Sequence, residues 1–282
     1  MGKLTKQQLK QHEIAEDLLW GSDKPLKRDA VAFCLEHWDP RALSGQHVAK
    51  NQAYFTPLSL ALDACAYVGG DGRRVVDIGA GIGRLSYAVL CANLWNPRQV
   101  RLTAVELNPD YLRVGRRLLP QVEWVEGDFY DQGLWQRLPP FAEAVSNPPF
   151  GRVVTECALD WIGYRGTAGL TVATMGLKVA ELGITIILPQ TQTPYAFSGR
   201  RSGENVYRRH HSRHLKAFLQ QHPQLEWHHS SIDTEQPSYK GGWRGVSPLV
   251  EATSLYDPNA HLISRPKPPI VPKPSYSLAQ LA

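Results

Sequence analysis

Val75-Val76-Asp77-Ile78-Gly79-Ala80-Gly81-Ile82-Gly83 is the stretch that decides the fold. Three branched apolar residues around Asp77 read as a short strand, Arg74–Ile78. Glycine then takes every second position from 79 to 83, and residues 84–94 read as a helix. Glycines between a buried strand and a helix let the backbone turn tightly and approach a ligand closely. The spacing is GxGxG and not the GxGxxG fingerprint of dinucleotide binding, so no pyrophosphate needs to be held.

On the C-terminal side the pattern repeats. Residues 100–106, 122–126, 142–146 and 184–188 read as strands, and 110–119, 155–161 and 173–182 as helices. Such alternation predicts an α/β fold, a Rossmann-like parallel sheet with helices on both faces. Residues 226–233 and 246–256 read as two more strands, joined by a long turn over 234–245. They form an antiparallel hairpin at the sheet edge and bring the sheet to seven strands. On the N-terminal side, 3–19 and 28–37 carry apolar residues at helical spacing. Thr56-Pro57 opens another helix, with Thr at the cap and Pro in the first turn. The chain thus divides into a helical N-terminal extension (1–50), an α/β domain (51–257) and a proline-rich, extended tail (258–282).

Composition sets the class. The 282 residues are 43% hydrophobic and 20% charged, ordinary for a soluble globular protein. No apolar run is long enough to span a membrane, and residues 1–11 lack the apolar core of a secretory signal. Cys34, Cys65, Cys91 and Cys157 are scattered, which predicts reduced thiols, a cytoplasmic protein and no metal. The net charge of +5 is unevenly spread. Arg200, Arg201, Arg208, Arg209, Arg213 and Lys216 face only Glu204, so one short segment carries a charge equal to the whole excess. Pro194, Tyr195, Phe197, Gly199 and Gly203 lie among or just before them. Arginines interleaved with glycine and aromatics suit phosphate contacts and base stacking, so a nucleic acid is the expected partner. The bland alternative is a helix over 207–219 with a solvated basic face.

Three carboxylates stand at successive strand ends, where open α/β sheets bind ligands. Asp77 precedes the first glycine and can meet a ligand amino group. Glu106 is placed to accept both ribose hydroxyls of an adenosine. Asp128 can accept from the adenine amino group, with Phe129 against the ring. Ser146-Asn147-Pro148-Pro149-Phe150 ends the fourth strand on the same edge. An sp2 amino nitrogen is a poor nucleophile because its lone pair is delocalised. The Asn147 side-chain oxygen and the Pro148 carbonyl can both accept from such an NH2 and turn its lone pair outward. Pro149 fixes the backbone and brings no competing N–H, and Phe150 offers a face for a base.

In this order, these elements resemble the class I S-adenosylmethionine-dependent methyltransferases, and within them the amino-methyltransferases carrying (D/N/S)PP(Y/F/W). The resemblance covers about residues 53–257. The order is similar to that of gamma-type N6-adenine DNA methyltransferases: Tyr54-Phe55-Thr56-Pro57, the glycine loop, the acidic residues, then Asn147-Pro148-Pro149-Phe150. The resemblance implies S-adenosylmethionine as cofactor, held by Phe55, Thr56, Pro57, Asp77, Gly79, Gly81, Gly83, Glu106, Asp128, Phe129 and Asn147. It implies that Trp243, or failing that Tyr239, stacks on a flipped base; the charge pattern makes Arg200, Arg201, Arg208 and Arg209 the candidates for binding the substrate.

The leading expectation is methyl transfer to adenine N6 in DNA. Larger gamma-type enzymes carry a separate target-recognition domain after the catalytic domain; here the proline-rich tail follows the hairpin, so target recognition is expected from residues 1–50, 191–216 and 234–245. The rivals are an RNA adenine-N6 or guanine-N2 enzyme, such as act on ribosomal RNA, and a protein-glutamine enzyme, against which Phe150 and the basic segment count. A catalytically dead nucleic-acid-binding module would have no physical need for Asp77, Glu106, Asp128 and Asn147 together.

Overall fold

The structure, a computed structural model, describes residues 4–42, 55–95, 99–153, 155–201, 203–243 and 248–259. β1 (Arg74–Ile78) is an interior strand of a seven-stranded sheet. It pairs in parallel with β2 (Arg101–Glu106) on one side and β4 (Glu143–Ser146) on the other. β3 (Glu123–Glu126) extends the sheet beyond β2, and β5 (Ile184–Pro189) extends it beyond β4. β7 (Val250–Tyr256) runs antiparallel between β5 and β6 (Glu226–His229), giving the order β3-β2-β1-β4-β5-β7-β6. Ile184 pairs with Leu255 and Pro189 with Val250, so β7 enters at the carboxyl end of β5 and leaves at its amino end.

Side chains alternate across the sheet and feed two apolar layers. Val75, Leu102, Ala104, Val145 and Ile187 join one layer, while Val76, Ile78, Val105, Ala144, Ile184 and Ile186 join the other. Burial on both faces is why the parallel strands read as near-continuous apolar runs. The first layer is covered by α3 (Leu58–Ala64), α4 (Arg84–Ala92) and α5 (Pro109–Leu118), and also by α1 (Lys6–Trp20) and α2 (Arg28–His37). A capping box between Thr5 and Gln8 starts α1. Ala15, Leu19, Val31, Leu35 and Trp38 are buried in the same core as β1. Arg117 of α5 closes the far end of α1, donating to the carbonyls of Leu19 (2.8 Å), Ser22 (2.5 Å) and Lys24 (2.8 Å). The second layer is covered by α6 (Gln132–Arg137), α7 (Ala168–Val179) and α8 (Arg213–Gln221).

Several sequence expectations are corrected. Residues 155–161 form turns and bends, not a helix. The Thr155 hydroxyl accepts from Cys157 N (3.1 Å), and Trp161 Nε1 donates to the Tyr130 carbonyl (2.9 Å). The Thr155 side chain thus offers the backbone a local alternative to a helix, and Trp161 ties the segment to the turn after β3. The next helix is Ala168–Val179, earlier than 173–182, and the turn at Gly183 (φ +103°) follows it. Pro57, not Thr56, is the N-cap of α3. The strand expected over 226–233 stops at His229, before Ser231 at φ +60°. The expected 234–245 turn contains a short helix, α9 (Pro237–Lys240), and a 3-10 turn (Gly241–Trp243). Tyr54, Gly245, Val246 and Ser247 lie outside the described residues.

Candidate active site

The strand order reverses between β1 and β4, the switch point where open α/β sheets leave a crevice. Ser146 pairs with Ile78, and its hydroxyl donates to the Ile78 carbonyl (2.7 Å). Gly79 and Asn147 therefore leave the sheet side by side. Gly79, Gly81 and Gly83 have φ of +72°, +58° and +92°, conformations that other residues rarely adopt. A Cβ at Gly79 would lie 3.2 Å from the Phe129 ring, and one at Gly81 would lie 3.0 Å from the Phe55 ring. The loop is thus set between two aromatic side chains. Gly83 differs: its neighbours are Leu119 and Trp124, so it serves helix packing.

Asp77 lies behind this loop and not in the crevice. It is fully buried, and its Oδ2 accepts from Ser86 N (2.9 Å) and Ser86 Oγ (2.7 Å) in the first turn of α4. Oδ1 has no hydrogen-bond partner among the described residues. Burial pushes the carboxyl up to about 7, against the Ser86 bonds that pull it down. Glu106 closes on the loop from β2. Its Oε2 accepts from Gly81 N (2.7 Å), and its Oε1 accepts from Leu107 N (2.9 Å) and Asn108 N (2.8 Å). Burial raises its pKa, and the three N–H bonds counter that rise. Asp128 accepts from Tyr130 N (2.8 Å) and from the Thr155 hydroxyl (2.5 Å), with Cys157 Sγ at 3.5 Å. Sequence reading missed Thr155 and Cys157, because their contact with Asp128 spans 27 and 29 residues.

Asn147, Pro149 and Phe150 are half-buried and Pro148 is buried. The Phe150 ring lies 6.4 Å from the Trp243 ring, tilted by 51°. Trp243 is only 4% exposed, so it backs Phe150 from within the core and presents no open stacking face. Tyr239 is also buried, and its hydroxyl donates to Asp63 Oδ2, joining α9 to α3. A Cβ on Gly242 would collide with Pro57 at 2.5 Å, so this turn rests on the Phe55-Thr56-Pro57 segment. Thr56 is buried and presents its carbonyl to Arg84 (2.7 Å). Arg84 went unnoticed in the sequence. The available clue was a cation at the first position of a helix, where the dipole disfavours it.

The basic segment leaves the carboxyl end of β5 and doubles back. Ala196 N donates to Val206 O (2.7 Å), and Tyr195 bridges Tyr207. Arg200 is turned into this excursion, bonding the carbonyls of Ala196 and Asn205. Arg208 is half-buried near the Tyr195 carbonyl (3.4 Å), and burial lowers its pKa. Arg201, Arg209, Arg213 and Lys216 are exposed. The helix expected over 207–219 begins only at Arg213, capped by Ser212. Glu251 of β7 anchors the excursion, accepting from Gln190 Nε2 (2.8 Å), Ser198 N (3.0 Å) and Ser198 Oγ (3.1 Å). Among the described residues no three His, Cys, Asp or Glu side chains gather as a metal site. No described helix is long and apolar enough to cross a membrane.

No family model and no curated relative matches the chain. Solved structures do match. A protein from Listeria monocytogenes, assigned to the class I S-adenosylmethionine-dependent methyltransferases, is similar over 91% of this chain and 82% of its own. The identity is 10% and the TM-score 0.52. A modification subunit assigned to a type I restriction enzyme of Vibrio vulnificus is similar over 76% of this chain, at 9% identity and TM-score 0.50. The match covers only 45% of that subunit. The chain therefore shares its fold with these two solved methyltransferase structures.

Proposed function

We propose that this chain transfers a methyl group from S-adenosylmethionine to the N6 amino nitrogen of adenine in DNA. One observation carries the reading: the glycine loop and Asn147-Pro148-Pro149-Phe150 leave adjacent strands together, with Ser146 bonded to Ile78 at their root. The cofactor supplies an electrophilic methyl group on a positively charged sulfur. The residues fit it. The glycines admit close backbone approach between Phe55 and Phe129. A carboxylate offers about four acceptor positions. Three of Glu106's are used by backbone N–H groups, which leaves Oε2 room for a ribose hydroxyl. Asp128 holds the adenine end, together with Thr155. Asp77 acts through the loop, by fixing the start of α4.

Asn147 and the Pro148 carbonyl accept hydrogen bonds from the target NH2 and turn its lone pair toward the methyl group. Alignment is the main requirement, and the proton leaves after transfer. Phe150 stacks on the base and Trp243 braces it from behind. Arg201, Arg209, Arg213 and Lys216 meet backbone phosphates, which favours nucleic acid over a glutamine side chain. The target base is flipped out to reach Asn147. Residues 51–257 form the catalytic domain in this reading, with 258–282 as a tail.

The test is transfer of labelled methyl to duplex DNA lacking N6-methyladenine, to RNA and to protein, followed by identification of the labelled nucleoside or residue. N6-methyladenine in DNA is the expected product. Label confined to RNA, or to glutamine, replaces the substrate.

A further inference from the structure

Arg84 is the only buried lysine or arginine among the described residues, at 4% exposure. It stands at the first position of α4, directly after Gly83. A cation there opposes the positive end of its own helix dipole. Its stabilisation comes from elsewhere in the chain. Nε donates to the Leu35 carbonyl (2.6 Å) and Nη2 to the Glu36 carbonyl (3.3 Å). Both belong to the last turn of α2, where carbonyls lack partners within the helix and the dipole favours a cation. Nη1 donates to the Thr56 carbonyl (2.7 Å), and the guanidinium carbon lies 5.3 Å from the centre of the Phe55 ring. Phe55 covers Gly81 and meets Trp38 (6.4 Å) and Tyr111 (5.3 Å) edge-on. One planar fork therefore joins the end of α2, the 55–56 segment and the helix that begins at the glycine loop.

We infer that Arg84 is a positioning residue for the cofactor, and that through it α1 and α2 form a wall of the cofactor pocket. The inference rests on the cofactor reading above. Phe55 is held against the loop from two sides, by Arg84 and by Trp38 at the end of α2. A ligand that orders the glycine loop and Phe55 therefore also tightens the helical pair. Lysine cannot replace this arginine, because a single ammonium does not reach three diverging carbonyls.

The test is backbone hydrogen exchange on the full chain with and without S-adenosylhomocysteine, together with calorimetric affinities. In the wild type, ligand should slow exchange across 28–37. In Arg84→Lys that protection should vanish and affinity should fall about tenfold. In Phe55→Ala combined with Arg84→Lys the loss should be smaller than the sum of the two single losses, because both act on one ring. Unchanged exchange over 28–37 in ligand-bound wild type overturns the inference, whatever the variants do. Wild-type affinity in Arg84→Lys, or fully additive losses, also overturns it and leaves Arg84 as a stabilising contact alone. A wild type that binds no S-adenosylhomocysteine overturns the cofactor reading itself.

Discussion

Asp77 shows how far a residue's role depends on where its atoms lie. The sequence places a carboxylate before a glycine loop, and its side chain turns inward to Ser86. With its carboxyl pushed from 3.8 to about 7, the folded chain keeps a proton through a window in which the unfolded chain has lost it. Folding thus binds protons between about pH 4 and about pH 7, and stability falls as pH rises through that window. Asp77→Asn removes this linkage. Its stability relative to wild type should rise by a few kcal/mol between about pH 4 and about pH 8. Denaturant titrations at the two pH values check it, and a pH-independent difference would show an ordinary carboxylate. Asn147 is the opposite case, a residue to which the proposed function gives a part in the reaction itself. Asn147→Ala should lower turnover about a hundredfold or more while S-adenosylhomocysteine binds nearly as before. Collapse of that binding would remove Asn147 from its assigned role. The place of both residues at strand ends was legible in the sequence. That Asp77 turns inward was not, because its burial is decided by Ser86, Cys65 and the layer around them.

Among the elements, the parallel strands were the most legible. Arg74–Ile78 has the expected bounds, because a strand covered on both faces stays apolar along its length. The least legible stretch was 155–161. Thr155 turns to Asp128, and Trp161 turns to Tyr130. Local periodicity carries no trace of those partners. The basic excursion was legible in charge and not in shape. Two of its arginines, Arg200 and Arg208, bond backbone carbonyls and hold the excursion together. Arg201 and Arg209 are exposed. The double variant Arg201→Ala with Arg209→Ala should weaken DNA binding and flatten the slope of log affinity against log salt by about 2. An unchanged slope in a filter-binding series would take this excursion out of the interface.

At the scale of the whole molecule, the N-terminal pair is part of the main core. Trp38 is fully buried, donates to Glu16 Oε1 (2.5 Å) and meets Phe55 and Tyr111 edge-on. Trp38→Ala should cost about 3–5 kcal/mol, and circular dichroism and fluorescence should report one coincident transition. A separate early transition for α1 and α2 would make them an independent unit. This was not legible in a sequence that sets 1–50 apart as a helical extension, because the contacts of Trp38 and Arg84 join residues distant along the chain. The antiparallel run of β7 has a practical consequence. Val250 starts beside the crevice rim, whereas Leu255 pairs with Ile184 at the opposite rim, where the chain continues to Asn259. A dye or surface tether attached at Asn259 would leave Asn147 facing outward. The molecule can thus be anchored for single-molecule work from the rim opposite Asn147.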